Sequence, residues 1–111
     1  MTPDILTAAG VKHKRNRFPS PPAETYAVWF DDIDTDGPDP IAPPIPAGLP
    51  YIELHSVTIE LYEPRPDDAT EAAIEAELRA RGIHYEKTDR VWLQDVQRYM
   101  VVYTFEYYSK S

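Results

Sequence analysis

The stretch from Gln97 to Tyr108 constrains this chain more than any other. Its odd positions read Tyr99, Val101, Tyr103, Phe105 and Tyr107, and its even positions read Met100, Val102, Thr104, Glu106 and Tyr108. Side chains alternate across a strand, so a strand with this pattern is largely apolar on both faces and needs cover on both. Thr25 to Asp31 has the same character, with Tyr26, Val28 and Phe30 on one face and Ala27 and Trp29 on the other. Two layers of cover are therefore required for one sheet.

A single helix of useful length is clearly marked. After Pro66, Asp68 precedes Glu71 by three positions and can form a capping box. Ala72, Ala73, Ile74, Ala76 and Leu78 follow, Glu75 to Arg79 and Glu77 to Arg81 are spaced for i,i+4 pairing, and Gly82 offers a left-handed stop. The spacing predicts a helix over 68–81. Its stripe is narrow, Ile74 and Leu78 beside Ala69, Ala73 and Ala80, which suits close packing on a sheet. Val57, Ile59 and Leu61 alternate with Thr58, Glu60 and Tyr62, whereas Ile52 and Leu54 sit in the opposite phase; a bulge near His55 and Ser56 would reconcile them. His84 to Glu86 and Arg90 to Asp95 read as a strand or as the two arms of a short one, and Pro3 to Ala9 can form a short helix stopped by Gly10. The expected fold is α+β, a four-stranded, mainly antiparallel sheet with one main helix packed on one face and a short N-terminal helix. One slim helix shelters one side. The other is left to the N-terminal arm, to a loop or to another subunit, where tyrosine and tryptophan serve well.

At 111 residues the expectation is one domain over 1–111, large enough to bury a core. Twelve prolines stand against four glycines. Six of the prolines fall between Pro38 and Pro50, so Ile33 to Pro50 reads as a long, stiff, proline-rich loop that meets a partner or forms a disordered insertion. The absence of cysteine removes thiol catalysis, disulfides and cysteine-ligated zinc. No apolar run approaches the roughly 18 residues of a membrane span and no signal peptide is visible, so a soluble cytoplasmic chain is expected. The net charge of -8 opposes general nucleic-acid binding. Charge is also segregated: Lys12, Lys14, Arg15 and Arg17 face only Asp4 in residues 1–23, while residues 24–50 hold Glu24, Asp31, Asp32, Asp34, Asp36 and Asp39 and no base. A basic arm beside an acidic segment can pair within one molecule or between copies.

Chemical motifs are broken or missing. Asp32, Asp34, Asp36 and Gly37 reproduce the first half of a calcium loop, but Pro43 occupies the position of the closing bidentate glutamate. His13, His55 and His84 lack ligand spacing, and none of Ser20, Ser56, Ser109 and Ser111 lies in a nucleophile elbow. No paired carboxylates stand out and no glycine-rich phosphate loop exists. A binding or assembly module, without catalytic residues, cofactor or metal, is expected over an enzyme.

Two segments carry a resemblance. Arg17, Phe18, Pro19, Pro21, Pro22 and Ala23 lead into the strand Thr25 to Asp32; Val57 to Tyr62, the helix from Asp68 to Gly82 and HYEKTDRVWLQDVQRYMVVYTFEY at His84 to Tyr107 follow. In order and texture this resembles the small tail terminator or tail completion proteins of long-tailed bacteriophages and of prophages of Gram-positive bacteria, over most of the chain outside Asp39 to Tyr51. The resemblance implies a ring of identical copies, usually hexameric, that caps the growing tail tube, stops its polymerisation and receives the head connector. It implies a virion tail location, with assembly in the bacterial cytoplasm, and partners that are the chain itself, the tail tube protein and the connector, without sequence-specific nucleic acid or membrane. The loop Ile33 to Pro50 would be the docking element, although it is longer than the family's compact hairpin, and Tyr99 to Tyr108 would be body or subunit seam. An acidic ring also suits a channel that DNA must cross without sticking. Expected contact residues are Trp29, Asp32, Asp34, Asp36, Ile41, Ile45, Tyr99 and Tyr107. The alternatives are a head-tail adaptor, a monomeric calcium-binding module using residues 32–36, and a small hydrolase of unrecognised type.

Overall fold

Three long strands, Tyr26–Pro38, Tyr51–Glu63 and Arg98–Lys110, form the spine of the computed structural model, which describes residues 1–38 and 51–110. Numbered in chain order, the elements are α1 (Thr2–Ala8), β1 (Lys12–Arg15), β2 (Tyr26–Pro38), β3 (Tyr51–Glu63), α2 (Asp68–Ala80), β4 (Tyr85–Lys87), β5 (Val91–Leu93) and β6 (Arg98–Lys110). The sheet runs β1-β2-β3-β6-β4, and β5 pairs with β6 beside β4. β1 is parallel to β2, and the other pairs are antiparallel.

The expected four-stranded, mainly antiparallel sheet is therefore corrected to a six-stranded mixed sheet with two helices. The unexpected strand is β1, which lacks an apolar pattern of its own, while the stretch read as a strand or the two arms of a short one forms two separate strands, β4 and β5. β1 reads Lys-His-Lys-Arg and is mostly exposed, so its extended shape comes from hydrogen bonding along β2, and a parallel edge of four residues leaves no periodicity to read. Asn16, in the left-handed region at φ 68°, ends β1 by donating its N–H to the Trp29 carbonyl at 2.9 Å. β4 and β5 are three residues each and share one edge of β6, with Thr88 to Arg90 between them.

The ladder registers set the two faces of the sheet. Trp29, Ile59 and Tyr103 lie side by side, as do Ala27, Leu61 and Val101. These residues, with Val57 and Phe105, are covered by Ile5 and Leu6 of α1, by Val11 and by Ile74 and Leu78 of α2. Each fully buried Ile or Leu there contributes on the order of 2 kcal/mol. On the opposite face Tyr26 stacks on Tyr62 at 5.1 Å and meets the edge of Phe18 from the N-terminal arm at 5.4 Å, so the arm covers this end.

α2 spans Asp68–Ala80 where 68–81 was expected, and Gly82 takes the left-handed stop at φ 69°. Its cap differs. Asp67 is the N-cap, accepting from the Thr70 N–H at 3.1 Å and from the Thr70 and Thr25 hydroxyls at 2.7 Å each. Glu71 is buried and paired elsewhere, while Ala69 and Ala80 face solvent and take no part in the stripe. The expected loop from Ile33 is also corrected, since β2 continues to Pro38; Asp39 to Pro50 lie outside the described residues. No bulge occurs at His55 and Ser56, where the pairing to β2 and β6 is unbroken, and the irregularity falls between Thr35 and Pro38.

Candidate functional site

Beyond the helices the three long strands run on as a projecting ribbon, and the described residues extend 54 × 28 × 21 Å. The phase change of Ile52 and Leu54 is explained here. At His55 the face that is apolar lower down turns polar, and the leucine and isoleucine occupy the second face in a regular strand. The His55 ring is buried and stacks on Tyr107 at 4.4 Å with a 9° tilt. Its Nδ1 lies 3.0 and 3.1 Å from the two Asp31 carboxylate oxygens, and its Nε2 lies 2.7 Å from Ser109 Oγ. A carboxylate, an imidazole and a hydroxyl are thus aligned as in acyl-transfer sites. Such chemistry also requires donors aimed at a developing oxyanion and a place for substrate. Ser109 instead continues the ladder opposite Glu53 on a regular strand, and the cluster's evident role is to bind three strands together where apolar packing has run out.

A second polar cluster lies under the other end of the sheet. Arg90, in the link between β4 and β5, places Nη2 at 2.6 Å from both Asp68 and Glu71 and Nε at 3.1 Å from Glu63. Lys87 reaches Glu71 and Glu75 at 2.9 Å each, and the Tyr103 hydroxyl donates to Glu75 at 2.9 Å. Glu63 is fully buried. Burial first, then the hydrogen bond and charge of Glu71, push its carboxyl up to about 7 against the pull of Arg90. Glu71 is held below the usual carboxylate range: burial raises it, but hydrogen bonds from Glu63, Lys87 and Arg90 outweigh burial. The two carboxyl groups therefore share a proton near neutrality, and the cluster fastens the β4–β5 link to α2 and to the end of β3.

The second face of the sheet carries a shallow concavity of about 420 Å³ whose lining includes Asp32, Ser56, Glu86, Thr104 and Glu106. Its rim is acidic. Among the described residues no three acidic or histidine side chains are grouped so as to hold a metal ion. Asp32 and Asp34 do not wrap as a calcium loop would, because they belong to β2 and project along one face of an extended strand.

Placement of the expected contact residues is uneven. Trp29 is buried in the core, with the Arg15 guanidinium 5.2 Å above its ring, and is not presented to a partner. Asp32 and Asp34 are exposed. The backbone of Asp36 lies in β2, whereas its side chain, and Ile41 and Ile45 entirely, lie outside the described residues. Tyr99 packs edge-on against Trp92 at 4.9 Å, and Trp92 is 41 % exposed beside Val91 at 51 %. Tyr107 is occupied by His55. Sequence reading missed the cluster of Asp31, His55 and Ser109 because the histidine is 24 and 54 residues from its partners. Trp92 could have been flagged as a large aromatic in a short apolar run, Val91 to Leu93, flanked by charged and polar residues.

No family model matches the chain, and no curated protein does. Among solved structures, a chain in the virion of a native gene transfer agent particle shares the fold. The two superpose with a TM-score of 0.57 at 13 % identity, over 96 % of this chain and 84 % of that one. At that identity the likeness is one of architecture.

Proposed function

We propose that the chain is a structural protein of a phage-like virion that acts as a tail terminator, assembling into a ring that caps the tail tube, ends its polymerisation and offers the joining surface for the head connector. The observation that carries this reading is the shared fold with a chain of a gene transfer agent virion over nearly the whole length of this one. Three further features support it. Among the described residues the sheet has two edges, β1 and β4–β5, with no strand paired to their outer sides, as a protein built to pair with its neighbours requires. The β2–β3–β6 ribbon projects beyond the helices and exposes Asp32, Asp34 and Tyr108, the last at 64 %, at a position suited to docking. The net charge of -8 keeps a DNA-carrying channel free of adhesion. In this reading the chain has no catalytic role and resides in the virion.

The test combines light scattering after size exclusion with electron microscopy of polymerising tail tube protein, with and without the chain. Capped tubes of reduced length, each ending in a ring of this chain, are expected. Binding to the connector with no effect on tube length would replace the terminator with a head-tail adaptor, and a monomer that binds neither would refute both. A second reading, a serine hydrolase, has one observation in its favour, the 2.7 Å contact between His55 Nε2 and Ser109 Oγ. Labelling by a fluorophosphonate that disappears in Ser109→Ala would raise it above the first.

A further inference from the structure

We infer that the ring closes by head-to-tail pairing of the β1 edge of one copy with the β4–β5 edge of the next. This rests on the ring assembly proposed above and names the surface that would make it. The two edges differ in charge. β1 presents Lys12 and Lys14 and ends in Arg15, with Arg17 just beyond, whereas the opposite edge presents Glu86, Asp89 and Asp95, which have no ion-pair partner among the described residues. The bases of that second edge, Lys87 and Arg90, are already held by Glu63, Asp68, Glu71 and Glu75 of their own copy. Lys12 does touch Glu24 at 2.6 Å, but both side chains are more than half exposed, so that pair is weak and yields to a partner.

Geometry agrees with charge. Lys12 and Lys14 lie opposite Tyr26 and Val28, on the second face, and Glu86 lies opposite Thr104 on that same face. Both edges also sit at one height. β1 is level with Met100 to Tyr103 of β6, and β6 carries Val91 at Met100 and Lys87 at Tyr103 on its other side. β1, β2 and β6 run one way and β3, β4 and β5 the other. Copies related by rotation about an axis along the strands therefore meet with β1 antiparallel to the neighbour's β4–β5 edge, opposite Lys87 at the end of β4, the link Thr88 to Arg90 and Val91 at the start of β5. Lysines on an edge normally forbid pairing with the same edge of a second copy. Here they forbid a two-fold dimer and leave the acidic edge as the compatible surface, which makes the contact heterologous and able to close a ring. Exposed Val91 and Trp92 supply the apolar anchor that charge alone would lack.

The experiment is a charge swap read by light scattering and by ring counts on tail tubes. Variant one carries Lys12→Glu and Lys14→Glu, variant two carries Glu86→Lys and Asp89→Lys, and variant three carries all four, each first shown to fold by circular dichroism. The first two are expected to weaken ring assembly roughly tenfold or more, and the third to recover it. Rings of parental affinity in the first two would overturn edge pairing while the ring itself stood, and failure of the third to recover would overturn the charge match. A parental chain that forms no ring even with tube protein present would remove the ring reading and this inference with it.

Discussion

Glu63 shows how one buried side chain links the sheet to its pH response. Its carboxyl is fully buried beside Glu71 and rises to about 7 from an ordinary value of 4.5. A raised folded-state value means that the stability it contributes is complete below about 4.5 and is lost as pH climbs through about 7. Glu71 and Glu75 act in the opposite sense, since their lowered values stabilise above the unfolded value and are lost in acid. Glu63→Gln mimics the protonated form and should remove the loss. Relative to the parent it is expected to gain on the order of 2 kcal/mol between pH 5 and 8, measured by denaturant midpoints at a series of pH values. A difference between the two proteins that stays flat across that range would refute the shared proton. None of this was legible in the sequence, where Glu63 is a charged residue at a strand end; its burial follows from Arg90, 27 residues on, folding over it.

Elements were legible in proportion to how much of their signal is local. α2 carries its cap, its stripe and its glycine stop within its own residues, so both ends were readable to within a residue. The capping residue itself was misplaced by one, because Asp67 is chosen by a distant hydroxyl, that of Thr25 on the way into β2. That bond joins the helix start to the sheet, and against the burial that raises it the hydrogen bonds from Thr25 and Thr70 hold the Asp67 carboxyl below its usual value. Asp67→Ala is expected to cost about 1 to 2 kcal/mol, more than Asp68→Ala, whose carboxylate is exposed apart from its contact with Arg90. Equal costs for the two in thermal or denaturant unfolding would return the cap to Asp68. β1 illustrates the opposite case, since its extended form is imposed by its neighbour and its own sequence is charged, whereas β4 and β5 overlap the stretches His84 to Glu86 and Arg90 to Asp95 that read as strand, and only their separate pairing with β6 was not legible.

For the whole molecule, the apolar pattern of β6 announced a sheet needing two covers, and it finds one in α1 and α2 and part of the other in the Phe18 arm. The sequence could not reveal that the strands would outrun their helices. That depends on the length of the β2–β3 pairing, which persists to Pro38 opposite Tyr51. The pairing makes a strong statement about the residues between them: Asp39 to Pro50 join two positions that are already adjacent, and no span has to be bridged. Replacing Asp39–Pro50 with a short Asn-Gly turn, which favours the tight twist of a hairpin, should therefore leave stability within about 0.5 kcal/mol of the parent. If the proline segment grips the tail tube, the shortened chain keeps its edges and still forms rings, yet caps tubes poorly. Circular dichroism, light scattering and tube-length counts separate the outcomes. Loss of folding would place the segment in the core, undiminished capping would move the docking surface to the exposed acids and Tyr108 of the ribbon, and loss of rings alone would make the segment part of the seam between copies.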